Sequence, residues 1–174
     1  MRTVKIGLFT AVVSILAVAA NAQDLGAIDP AVKGQVGTIL VKYYGVKDGL
    51  VASDHEAAST HAGELVTALE AVDASKMPGP QKTEWEKLQA LVRTDAVHIN
   101  RNKDLVHQRE HFAKLSNNMY TLVASFKAND AEAYWHYCPM KKASWLSNSK
   151  EVRNPYYGSK MLKCGSVKAT LAKN

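Results

Sequence analysis

The sequence predicts a mainly α protein, an antiparallel four-helix bundle with a small C-terminal β-hairpin and irregular Cys-Met module packed on it. Apolar residues recur at helical spacing in four runs between Asp29 and Lys127, and the breaks between the runs are short. Short connections make neighbouring helices antiparallel. Beyond Asp130 the period is lost among aromatics, prolines and glycines.

Each element has its own signals. Asp29-Pro30 sets a capping residue and a first-turn proline before Ala31, and Val36, Ile39, Leu40, Tyr43, Val46 and Leu50 then recur as one face, so the first helix is expected to reach about Val51. Ser53 or Asp54 can cap a second helix whose buried face holds Ala58, Ala62, Leu65, Leu69 and Val72. The run Met77 to Pro80 interrupts the chain, since two prolines and a glycine do not continue a helix. A third helix is expected from about Thr83, with Trp85, Leu88, Val92 and Ile99 inward, and Asn100 to Lys103 is read as a polar connection. The fourth is the clearest: Leu105, Gln108, Phe112, Leu115, Met119, Leu122 and Phe126 form a seam free of glycine and proline. In the tail, Tyr134 to Cys138 and Ala143 to Leu146 read as two short strands joined by a turn at Pro139 to Lys142.

The chain opens with Arg2 and Lys5, an apolar run from Ile6 to Ala20, and a small-x-small site at Ala20-Asn21-Ala22. That is the pattern of an export signal cleaved after Ala22, shorter than a membrane span. Residues 1–22 are therefore expected to be a signal peptide and 23–174 a single exported, periplasmic domain, with the bundle at about 29–130 and the tail at about 131–174. Processing removes two of the 22 basic residues and none of the 16 acidic ones, so the formal charge falls from +6 to +4. So small a surplus, with both signs interspersed, gives no reason to expect nucleic acid as a partner, and no membrane span is expected in the mature form.

The tail carries the chemistry. In YWHYCPM an extended backbone would turn His136, Cys138 and Met140 to one face, and Pro139 favours an edge strand or a strand end, positions where a ligand has access. Met161 and Cys164 lie three residues apart, within one helical turn. Thiolate and thioether select soft ions, Cu(I) above all, and imidazole accepts Cu(I), Cu(II) and Zn(II). The same two cysteines, the only ones in the chain, could instead close a disulfide in an oxidising compartment. His107 and His111 form a second pair one helical turn apart, able to face the tail if it packs beside the fourth helix. Gln108 follows His107, so the HExxH pattern of zinc proteases is absent, and His55, His61 and His98 have no comparable arrangement. No nucleophile elbow or phosphate loop is present, so an enzyme is not expected.

The segments YYGVKDGLVASD, HQREHFAKLSNNMYTLV, YCPM, WLS and NPYYGSKMLKCG together resemble an exported bacterial family of unknown function, found alone or appended to periplasmic adaptor subunits of CusB-type copper and silver efflux systems. The YxCPM unit is also similar to the start of small heavy-metal-binding domains reading YTCPMHP, from which this chain departs at Lys141 and in its reduced KCG. The first resemblance implies a helical bundle and copper handling. It makes Cys138, Met140, Met161 and Cys164 the leading ligand candidates, with His107, His111 and His136 next, and a heavy-metal efflux component a possible partner. The expected function is copper binding for sequestration or delivery to efflux. The competing expectation is a disulfide-stabilised interaction module whose exposed Trp145, Tyr156 and Tyr157 meet a partner.

Overall fold

The computed structural model describes residues 25–174, so the expected signal peptide and its cleavage after Ala22 lie outside the described residues. Four helices, α1 (Pro30–Ala52), α2 (His55–Glu70), α3 (Gly79–Arg101) and α4 (Leu105–Phe126), precede three strands, β1 (Ala133–Cys138), β2 (Ala143–Ser147) and β3 (Ser166–Leu171). Among the described residues no helix is long and apolar enough to cross a membrane.

Helix ends follow local chemistry. The Asp29 carboxylate accepts from Ala31 N at 2.8 Å, Asp54 accepts from Ala57 N at 2.9 Å, and Asp104 accepts from Val106 N at 2.7 Å, so each satisfies an amide that its helix leaves unpaired. Ser53 and Lys127 turn the chain out of α1 and α4 in the left-handed conformation. α3 begins at Gly79 rather than near Thr83. Pro80, expected to stop a helix, falls in the first turn, where a missing N–H costs nothing. Its far end also runs on to Arg101, past the expected stop at Asn100. The Asn100 side chain donates to Ser59 O at 2.9 Å and its carbonyl accepts from the Ser59 hydroxyl, which pins this end of α3 to α2.

α1 packs on α2, α2 on α3, α3 on α4, and α4 returns to α1. The predicted seam of α4 is buried throughout from Phe112 to Phe126 and meets Ile39, Tyr43 and Leu50 in one continuous core. Each large side chain so enclosed contributes about 1.5–3 kcal/mol. Tyr43 stacks on Phe112 with ring centroids 5.4 Å apart, and its hydroxyl accepts from Leu146 N at 3.0 Å and shares a hydrogen bond with the Ser116 hydroxyl at 2.8 Å. One buried hydroxyl therefore joins α1, α4 and β2. Gln108, on the same seam, explains why a polar residue belongs there: its amide reaches the carbonyls of His55, Ile99 and Asn102, tying together three chain segments.

The expected hairpin forms, β1 pairing antiparallel with β2, and the tail adds a third strand to it. The result is a three-stranded antiparallel sheet in the order β2-β1-β3, which puts β1 at the centre rather than at an edge. Pro139 is compatible with that because it lies past Cys138, the last residue paired with β2, and opens the loop to Ala143. β3 supplies the second neighbour, and the alternation of Val167, Ala169 and Leu171 with polar residues is its readable signature. Trp145 and Tyr156, expected to be exposed, are buried against the helices and each other, their rings edge to face at 5.9 Å.

Candidate functional site

Two clusters emerge, and they fall on different parts of the fold. The first is the cysteine pair. Cys138 closes β1 and Cys164 follows the 3-10 turn Gly158–Met161, and their sulfurs lie 3.3 Å apart as free thiols. Asn154 organises the approach of the two segments: its side chain donates to Cys164 O at 2.6 Å and accepts from Tyr156 N at 2.8 Å. Gly165 is needed beside it, because at φ +149° an added Cβ would lie 2.9 Å from the Trp145 ring and 3.1 Å from Tyr137 O.

The two thiols are electrostatically unequal. Burial pushes Cys138 up, but the Lys141 amide, the Cys164 thiol, the Asn154 side chain and the Met140 amide all point at its sulfur and together hold it below the ordinary cysteine value. The Lys141 N–H reaches that sulfur at 3.4 Å across the turn that Pro139 starts. Cys164 is raised, chiefly because its proton is engaged by Cys138 and also by burial. Of the two, Cys138 is therefore the more readily ionised and Cys164 the one that keeps its proton longer.

Of the other tail candidates, Met140 and Met161 are exposed, at 64% and 36% of their surface, on the turns that carry the two cysteines. His136 does not join them. It is fully buried, stacks on Trp145 at 5.0 Å, and donates from Nε2 to Ser149 O at 3.0 Å, which leaves Nδ1 buried without a partner. His136 thus lies on the core side of the central strand, out of reach of a ligand from solvent, whereas Cys138 ends that strand beside the partly exposed Cys164.

The second cluster is made by α3 and α4. His107 and His111 do not face the tail: they face α3 and meet His98, a residue with no distinguishing spacing of its own along the chain. The three imidazoles offer ligand atoms that all lie within 4.8 Å of one another. His111 stacks on His98 with centroids 4.1 Å apart and planes 2° from parallel, and His107 tilts toward both. Asp95, nearly buried one helical turn before His98, accepts from His111 Nδ1 at 2.9 Å. On the opposite side of α4, Arg109 bonds Pro155 O at 2.9 Å and Ser53 Oγ at 2.9 Å, so the side turned to the tail is occupied by a structural clamp. Among the described residues, no group of three or more His, Cys, Asp or Glu side chains within ligating reach combines cysteine with histidine.

No curated protein and no solved structure matches the chain. A family match covers residues 39–131, from within α1 to just beyond α4; it includes the three histidines and ends before β1. Since that span is more than half of the 174 residues, the chain belongs to the family described as protein of unknown function (DUF3347).

Proposed function

We infer that the mature chain is an exported, periplasmic copper-binding protein, an up-and-down helical bundle whose Cys-Met tail takes Cu(I) for sequestration or for delivery to an efflux component. The observation that carries this reading is the pair of free sulfurs 3.3 Å apart, one of them favoured as thiolate. Metal–sulfur bonds of about 2.3 Å place two sulfurs about 4 Å apart, so the pair needs to open by under about 1 Å. Cys164 lies on a partly exposed turn that can supply such a shift. A thiolate matches a soft monovalent ion, and the exposed thioethers of Met140 and Met161 can add ligands without releasing a proton. Weak thioether ligation suits transfer, because the ion must leave as readily as it arrives.

Titrating the reduced protein with Cu(I) against a competing chelator tests this. The parent is expected to bind, and Cys138→Ser with Met140→Ala to lose at least tenfold in affinity; equal affinity in the two would remove the tail from the site.

The same 3.3 Å gap supports a second reading, in which the pair is oxidised on export. A disulfide needs sulfurs at about 2.05 Å, and its 26-residue separation corresponds to about 3.5 kcal/mol of chain-entropy stabilisation. Thiol counting on protein taken from its native compartment distinguishes the two states. Blocked thiols, with no copper uptake after reduction, would favour a disulfide-stabilised interaction module.

A further inference from the structure

The histidine trio is chemically distinct from the dithiol. We propose that His98, His107 and His111 form a binding site for a divalent cation of borderline softness, of the Zn(II) or Cu(II) class, with Asp95 orienting His111. Three neutral imidazoles and no thiolate select such ions over Cu(I), and over Mg(II) or Ca(II), which require oxygen.

The geometry is that of a site one side-chain rotation from closure. His107 and His111 share one face of α4, and His98 meets them across the α3–α4 packing. Nitrogen–metal bonds of about 2.0–2.1 Å in a tetrahedral site put ligand nitrogens about 3.3 Å apart. The present spread, up to 4.8 Å, must contract. The parallel stack of His98 on His111 also keeps their lone pairs from converging. His98 is exposed, with recesses of about 560 Å³ toward Asn117 and about 280 Å³ toward Asn102 on its two flanks, so its ring has room to turn. His111 cannot turn and need not: Asp95 fixes Nδ1–H, so Nε2 carries the free lone pair. A ligating histidine held by a carboxylate is the usual arrangement around catalytic and structural zinc.

The surroundings temper the affinity. Lys114 lines one recess and Arg101 the other, opposing the counter-charge of Asp95 and of the carbonyl end of α3, whose last turn holds His98. Three ligands leave a fourth position open to solvent or to a ligand from a partner.

This site is independent of the dithiol, and the test separates them. The full chain, a Cys138→Ser/Cys164→Ser variant and His98→Ala are each titrated with Zn(II) and with Cu(II) by calorimetry, with Mg(II) as control, while the ring nitrogens are followed by NMR. One equivalent of Zn(II) is expected to survive in the double serine variant and to shift the His107 and His111 ring signals. His98→Ala, an exposed position, should weaken that equivalent at least tenfold, and Asp95→Asn by roughly 10–100-fold. His98→Ala should leave Cu(I) affinity unchanged. Zn(II) uptake that vanishes with the cysteines, that ignores His98→Ala, or that leaves the ring signals in place overturns the site. Loss of Cu(I) binding in the parent with Zn(II) binding intact overturns the dithiol reading alone.

Discussion

Tyr43→Phe isolates the hydroxyl that holds the tail to the helices. The ring stays, so its stacking on Phe112 and its burial are preserved, and only the two hydrogen bonds to Leu146 N and Ser116 Oγ are lost. Ser116 can redirect its hydroxyl to a carbonyl one turn back on α4, which makes its share small. Leu146 N has no such alternative: the residue is fully buried on β2, and an orphaned amide costs about 1–3 kcal/mol. Adding roughly 1 kcal/mol for the bonds themselves gives a loss of about 2–4 kcal/mol. For a domain of this size that corresponds to a fall in Tm of about 4–16 °C. Chemical denaturation of parent, Tyr43→Phe, Ser116→Ala and the double variant measures it. The double variant should be barely less stable than Tyr43→Phe, because the serine matters mainly through the tyrosine. A loss below about 0.5 kcal/mol for Tyr43→Phe would refute the view that this hydroxyl is the buried junction of α1, α4 and β2.

Two further outcomes are expected. His136 is held below the ordinary histidine value of 6.5, first by burial, then by the nearby charge of Lys47, with its bond to Ser149 O opposing both. The folded state therefore favours the neutral ring and the unfolded chain takes up the proton first, so this group's stabilisation is complete above pH 6.5 and is lost as the pH falls below it. Urea unfolding between pH 7.5 and 5 should show a shallower acid loss for His136→Gln than for the parent, and equal slopes would exclude the residue as a contributor. Gly165→Ala should cost about 1–3 kcal/mol, since its φ of +149° and the 2.9 Å approach to Trp145 must both be relieved. The shift also moves Cys164, so thiol oxidation of this variant should slow; an unchanged Tm together with an unchanged oxidation rate would contradict the packing described.

The features legible in the sequence are those that a single segment decides for itself. A carboxylate two residues ahead of an unpaired amide caps a helix wherever the rest of the chain goes, which is why Asp29 marked a true helix start and why Asp54, of the two candidates Ser53 and Asp54, caps α2. Asp104 caps α4 by the same chemistry, a signal not singled out from the sequence. The 3.6-residue period likewise committed Phe112, Leu115, Met119, Leu122 and Phe126 to the core before any partner was known. Pro80 misled because the same missing N–H ends a helix or begins one according to its position in the turn.

Tertiary structure decided what requires two segments to meet. His136 was legible as facing the same way as Cys138, but not as facing inward, because burial depends on β3 arriving from 30 residues later to make β1 central. Proximity of Cys138 to Cys164 rests on Asn154 and Gly165, neither of which looks like a ligand or a catalyst. The side of α4 that meets the tail follows from Arg109 and Phe112, so His107 and His111 were left to α3. His98 carries no local signal at all. It lies one residue before the core position Ile99, and becomes a candidate ligand only because α3 and α4 pack with their joined ends in register, a relation between helices that no spacing along one of them encodes.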